Sequence, residues 1–145
     1  MRPTIRELRS SDIPAIIEID VVSFPPSEQY DEAFYEHLPA SVQYHSVVAL
    51  DDNGVVAGYA SLDVLATPPR ITSIAVDPAR RRCGVGAALM RTLVERAGTM
   101  ELYVDPGNTA AIALYERLGF VVDATRLGWR GKAVMRLREG APPDE

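Results

Sequence analysis

The sequence predicts an α+β sandwich, a central mixed and mostly antiparallel sheet flanked by helices, and three observations predict it. Two apolar runs of β type, Tyr44 to Leu50 and Val55 to Leu65, flank Asp51, Asp52, Asn53 and Gly54, the turn chemistry of a β-hairpin. A third run, Ile71 to Val76, leads through a helical repeat to a fourth, Met100 to Val104, so one strand–helix–strand crossover interrupts the hairpins. Helical spacing recurs outside it, in Ile13, Ile16, Ile17, Val21 and Phe24 and again in Ile112, Tyr115 and Leu118.

Taken in order, Thr4 to Leu8 reads as a first strand, and Ser10 or Ser11 can cap the helix that follows, with Pro14 tolerated in its first turn. Pro25 and Pro26 end that helix, and a second short one runs from about Asp31 to Leu38, ended by Pro39. The connector, Phe24 to Tyr30, holds an aromatic residue, two prolines and a serine between two helices, a candidate wall of a groove. Thr67 to Pro69 breaks the chain between the hairpin and the third run. In Met100 to Val104, Glu101 and Tyr103 share one face with Asp105, and Leu102 and Val104 take the other. Pro106 and Gly107 stop that strand. Asn108 is a good N-cap for Thr109 to Leu118, and Gly119 takes the position just past its end. Phe120 to Ala124, extendable to Leu127, and Lys132 to Leu137 give two last strands around Gly128, Trp129, Arg130 and Gly131. Residues 1–140 read as one domain and 141–145, with two prolines and two acids, as a flexible tail.

At 145 residues the chain is large enough to bury about two thirds of its unfolded surface in a single core. Fifteen Lys and Arg against twenty Asp and Glu leave a net charge of -5, which argues against general nucleic-acid affinity. A cluster of arginines in such a chain is therefore a local anion site. The single cysteine, Cys83, excludes an internal disulfide and suits a reducing compartment. Met1 to Thr4 lead straight into polar sequence, and no run reaches the ~18–20 apolar residues of a membrane span, so the expected setting is the cytoplasm, away from membranes.

That arginine cluster lies where the third strand ends. Val76 is followed by Asp77 and Pro78, then Arg80, Arg81 and Arg82, then Gly84 and Gly86, then the repeat Ala87, Met90, Leu93, Val94 and Ala97, closed by Gly98. Strand, arginine and glycine loop, helix is a device for holding phosphate. The first N–H groups of a helix have no intrahelical partner, the helix dipole favours an anion there, and glycine lets the anion approach the main chain. A P-loop would need Gly-Lys-Ser/Thr and a dinucleotide loop three glycines and a ribose acid, and both are absent.

The spacing Arg81-x-x-Gly84-x-Gly86 directly after Val76-x-Pro78 resembles the coenzyme A pyrophosphate loop of the GNAT superfamily of N-acetyltransferases. The segment Leu102 to Phe120, LYVDPGNTAAIALYERLGF, resembles a second shared region of those enzymes, most closely in the subgroup of ribosomal-protein alanine N-acetyltransferases. The resemblance covers nearly the whole chain. It implies a GNAT-type sandwich with a V-shaped opening between the strands ending at Val76 and Val104, and acetyl-CoA as cosubstrate with no metal. Main-chain groups of Ile74, Ala75 and Val76 would meet the pantetheine arm, and Arg81, Arg82, Cys83, Gly84, Val85, Gly86 and Ala87 would hold the pyrophosphate. Asn108 would bond the pantetheine arm as well as cap its helix.

Tyr115 corresponds to the family's general acid, and the chemistry explains a phenol: with an ordinary pKa near ~10 it stays protonated until a departing thiolate develops charge. The position corresponding to the family's Glu or His base is Tyr103 here, and Glu101, two residues earlier on the same face, is the alternative, although a charge at a strand start is ordinarily solvated. A weak base favours an acceptor of low pKa. An α-amine near ~8 is about a tenth neutral at pH 7, a lysine near ~10.4 well under a thousandth. The acceptor groove implied lies between the connector, with Phe24 and Pro25, and the last hairpin, with Trp129 as aromatic wall. The reading is thus acetyl transfer to an amine, a protein N-terminus being the first choice, by direct attack in a ternary complex of a monomer or homodimer. A small-amine acetyltransferase and a CoA-binding regulatory domain are the alternatives.

Overall fold

The computed structural model describes residues 2–137, so the expected tail at 141–145 lies outside the described residues. Seven strands form one sheet in the order β1-β2-β3-β4-β5-β7-β6, with β1 Thr4–Glu7, β2 Tyr44–Leu50, β3 Val56–Asp63, β4 Arg70–Val76, β5 Glu101–Val104, β6 Phe120–Leu127 and β7 Ala133–Leu137. Four helices accompany it: α1 Ile13–Ser23, α2 Glu32–His37, α3 Val85–Ala97 and α4 Thr109–Arg117. The hairpin turn forms as its residues dictate, with the Asp51 carboxylate accepting the N–H groups of Asn53 and Val55 at 2.8 and 3.0 Å.

Alternation along β2 and β3 splits the core in two. Val47, Ala49, Ala60 and Leu62 face α3 and α4, where Val85, Leu89, Leu93, Tyr115 and Leu118 close the larger cluster. Val48 and Tyr59 face the other way, against Ile16 and Ile19 of α1 and Tyr35 and Leu38 at α2. Helices therefore cover both faces.

All neighbouring strands are antiparallel except β4 and β5, which run parallel and pair only at Arg70 with Glu101 and Ile71 with Leu102. Beyond these two rungs β4 stays on β3 as far as Val76, while β5 stays on β7 as far as Val104. Each strand follows its own half-sheet, and the two part into a V.

Two details of the N-terminal region differ from the sequence reading. Neither Ser10 nor Ser11 caps α1; both lie in a short 3-10 turn, Ser10–Asp12, where Asp12 takes the Arg9 N–H at 2.8 Å and the Arg6 guanidinium at 2.7 and 3.0 Å. On α1 the buried residues are Ile16, Ile19 and Asp20, and Val21 is 55% exposed rather than in the core. This helix is apolar nearly all round, so periodicity alone does not choose its inner face. Pro39, read as ending α2, instead lies inside a 3-10 turn, Leu38–Ala40, that continues it.

The Arg6–Asp12 pair ties β1 to the entry of α1. Burial works against the Asp12 charge, but hydrogen bonds from Arg6 and the Arg9 N–H outweigh it and hold the carboxyl below the usual carboxylate range. A lowered folded-state pKa contributes stability above the ordinary carboxylate pKa and loses it as pH falls through the folded value. Asp12→Ala is therefore expected to cost about 2 kcal/mol at pH 7, with the gap between wild type and variant narrowing as pH falls below the ordinary carboxylate range, as read by urea denaturation across pH.

Candidate functional site

The parted strands open onto a cleft of about 590 Å³, walled on one side by Ile71 to Ile74 of β4 and on the other by Leu102 to Val104 of β5, with Asn108 and Tyr115 at its α4 end. The edge of β4 that faces it has no partner strand beyond Ile71. One group on that edge is used: the Thr72 carbonyl accepts the Tyr30 hydroxyl at 3.3 Å. With a strand period of two, the N–H and C=O groups of Ile74 and Val76 lie on the same edge, those of Ala75 on the other. That edge is an unfilled position in the sheet.

At the end of β4 the loop is fixed by Arg80. Its guanidinium reaches Asp51 in the hairpin turn at 3.0 and 2.7 Å and Asp77 at 2.6 Å, so this arginine is structural. Arg81, Arg82 and Cys83 are exposed. Arg82 and Gly84 adopt left-handed backbones, with φ of 66° and 78°, and a Cβ at Gly84 would have nothing within 4 Å. Alternation of this kind turns successive N–H groups into one concavity. The first rung of α3 is the Ala88 N–H on the Gly84 carbonyl, so the N–H groups of Val85, Gly86 and Ala87 precede the ladder. The concavity, the open space over Gly84 and the free sheet edge together fit a diphosphate joined to an extended amide arm.

Asn108 caps α4 through Oδ1, which accepts the Ala111 N–H at 3.2 Å, and it also lines the cleft. Tyr115 is 7% exposed, its ring 6.1 Å from that of Phe120. Burial pushes its phenol up to about 12.

Glu101 is not the solvated strand-start acid of the sequence reading. It is 1% exposed; Arg126 reaches Oε2 at 2.7 Å and Arg70 reaches Oε1 at 3.3 Å, and Glu101 is not among the residues lining the cleft. Both oxygens are engaged by guanidiniums beside the two rungs that join the half-sheets. Tyr103 does face the opening. The Arg70 guanidinium lies 4.8 Å from its ring centroid, and a Cβ at Gly128 would come within 2.8 Å of the ring, so only glycine lets the last hairpin close on it.

On the far side of Tyr103 lies a second groove of about 820 Å³, between the connector and the last hairpin. Trp129 lines this groove, Phe24 lines both cavities, and Pro25 lines only the first cleft. Trp129 is 52% exposed, with the Arg130 guanidinium 4.3 Å from its ring centroid. A Lys132–Glu28 ion pair of 2.5 Å spans from hairpin to connector and lines both cavities. Asp20, Arg70 and Lys132 escaped the sequence reading, whereas Glu28 and Tyr30 lie in the connector it singled out. For Asp20 a signal existed: an acid among Ile19, Val21 and Val22, four residues after Ile16 and on its face. Among the described residues no group of three His, Cys, Asp or Glu side chains could hold a metal ion, and no helix is long and apolar enough to cross a membrane.

A sheet split after a turn with free N–H groups, with a buried phenol at the split, is an arrangement suited to an acyl-CoA-dependent transferase. Residues 7–120 match the family described as acetyltransferase (GNAT) family, and the chain belongs to it. It is 35% identical over 124 residues to the [ribosomal protein bS18]-alanine N-acetyltransferase of Escherichia coli K12, covering 81% of this chain and 80% of that protein. The crystal structure of the ribosomal-protein-S18-alanine N-acetyltransferase from Escherichia coli superposes with a TM-score of 0.76 at 27% identity, covering 99% of this chain and 96% of that one. The structure of yncA from Salmonella typhimurium, solved with its cofactor acetyl-CoA, superposes with a TM-score of 0.75 at 28% identity, covering 99% of each chain. The protein is an acetyl-CoA-dependent N-acetyltransferase that transfers acetyl to a primary amine.

Proposed function

We propose that the acceptor is the α-amine of a protein N-terminus, acetylated by direct attack in a ternary complex. The observation that carries this is two grooves meeting at Tyr103, Ile71 and Thr72, one suited to a phosphorylated arm and the other of about 820 Å³, open and aromatic-walled. A free amine entering from the second groove reaches the first where the strands part. The name of the Escherichia coli relative supports a peptide rather than a small amine.

In this reading the amides of Val85, Gly86 and Ala87, with Arg81 and Arg82, hold the pyrophosphate, and Cys83 contributes only main chain. The β4 edge at Ile74 and Val76 and the Asn108 side chain hold the pantetheine arm. Acetyl-CoA supplies the activated acyl group as a thioester. Tyr115 gives its proton to the departing sulfur. Tyr103, pinned between Arg70 and Gly128, is a wall of the passage, and the two guanidiniums on Glu101 give that residue a structural role in place of a basic one.

Thiol release is the test. Peptides beginning Ala-Arg or Ser-Arg are expected to release free thiol from acetyl-CoA at least about tenfold faster, as kcat/KM, than polyamines, free amino acids or aminoglycosides, and N-terminally blocked copies to release none. A small amine outrunning the peptides overturns the reading. Trp129→Ala is expected to raise peptide KM about tenfold and leave calorimetric acetyl-CoA affinity unchanged, since a half-exposed aromatic wall is worth about 1–2 kcal/mol to the acceptor alone.

A further inference from the structure

Asp20 has an oxygen with nothing to bind. It lies on α1, 2% exposed, and lines the acceptor groove. Its Oδ2 accepts the hydroxyl of Tyr35 from α2 and of Tyr59 from β3, each at 2.5 Å. Its Oδ1 is buried and has no hydrogen-bond partner. An unsatisfied buried carboxylate oxygen is costly, and two tyrosines spent on one oxygen fix the other in place. A carboxylate so held suits a cationic donor arriving through the groove.

The other acids near the opening are engaged. Glu28 is paired with Lys132, Glu101 with Arg70 and Arg126, and Asp105 Oδ1 accepts the Gly107 N–H at 2.8 Å. We propose that Asp20 is the proton acceptor for the incoming amine: Oδ1 receives the acceptor's ammonium group and takes one proton from it. The N–H bond breaks as an O–H bond forms, and the freed nitrogen lone pair attacks the acetyl carbonyl. As the C–S bond breaks, Tyr115 gives its proton to sulfur, and Asp20 returns its proton to solvent through the groove once the amide has left. The inference deepens the acetyl-transfer reading above and rests on it.

The surroundings favour the task. Tyr35 and Tyr59 face the carboxylate from α2 and β3, and across the groove stand Tyr30 and Glu28 of the connector, Arg70 of β4, Tyr103 of β5 and Lys132. Burial raises the Asp20 carboxyl above the usual carboxylate range against the opposing pull of the two hydroxyls, which makes it a better proton acceptor than an exposed acid.

The test is kcat/KM for an Ala-Arg peptide between pH 6 and 9.5 in wild type and Asp20→Asn, an isosteric change that still lets an amide oxygen accept from both tyrosines. In wild type the rate falls shallowly below the α-amine pKa, because the ammonium form is used. In the variant only neutral amine reacts, so the rate falls tenfold per pH unit and is about 30-fold lower at pH 6.5 than at pH 9, with acetyl-CoA affinity by calorimetry unchanged. Parallel profiles, or a loss of acetyl-CoA affinity, overturn the proposal. If Asp20→Asn does not fold, Tyr35→Phe carries the test: removing one donor from Oδ2 moves the acidic limb to higher pH, and an unmoved limb overturns it. Wild-type protein with no peptide-dependent thiol release overturns the acceptor reading itself, before any variant is made.

Discussion

Tyr115→Phe is expected to lower kcat about 1,000-fold while acetyl-CoA affinity stays within about twofold of wild type. The ring sits in the cleft wall at the end of α4 and packs 6.1 Å from Phe120, and phenylalanine keeps that packing, so the melting temperature should barely move. What is lost is one hydroxyl proton. It matters only when sulfur departs, which is why the defect falls on kcat and not on binding. A phenol raised to about 12 is a weaker acid than usual, but the cause of the rise is desolvation, and a thiolate developing beside the buried ring would be desolvated too. The match is therefore kept where it counts. The basic limb of kcat should lie above pH 10, since the raised value keeps the phenol protonated throughout the neutral range. An unchanged kcat would reduce Tyr115 to a core residue.

Much of this was legible because its causes are local. The turn chemistry of Asp51 to Gly54 set the hairpin, and β2 begins and ends where the apolar run does. The loop at Arg81 to Gly86 and the cap at Asn108 are written in consecutive residues, and each folds as its chemistry requires. What stayed hidden depends on partners far along the chain. Glu101 is buried because Arg70 and Arg126, 31 and 25 positions away, neutralise it. Arg80 leaves the anion loop because Asp51, 29 positions earlier, takes it. Asp20 is held by tyrosines 15 and 39 positions later. A period of two or of 3.6 carries no information about such pairings, and in a largely apolar helix such as α1 it does not even choose the face. Charged residues at this site were thus the least readable part of it.

Gly84→Asp separates holding phosphate from holding the fold. Gly84 has φ of 78° and room for a side chain, and Asp is among the few residues that tolerate a left-handed backbone, so the variant should fold at a cost of about 1 kcal/mol. A carboxylate at this N-cap position is favoured by the dipole of α3. The same charge opposes a bound diphosphate. At ~5 Å and an effective dielectric of ~20 the repulsion is about 3 kcal/mol per unit charge, so acetyl-CoA affinity by calorimetry should fall at least about 100-fold. Gly84→Asn carries the same shape and backbone tolerance without the charge and should bind within about fivefold of wild type. The gap between the two variants should narrow as salt rises from 50 to 500 mM, because the loop is exposed and its field is screened. If Asp and Asn variants bind acetyl-CoA equally well, the anion is held elsewhere, and the turn before α3 is only a turn.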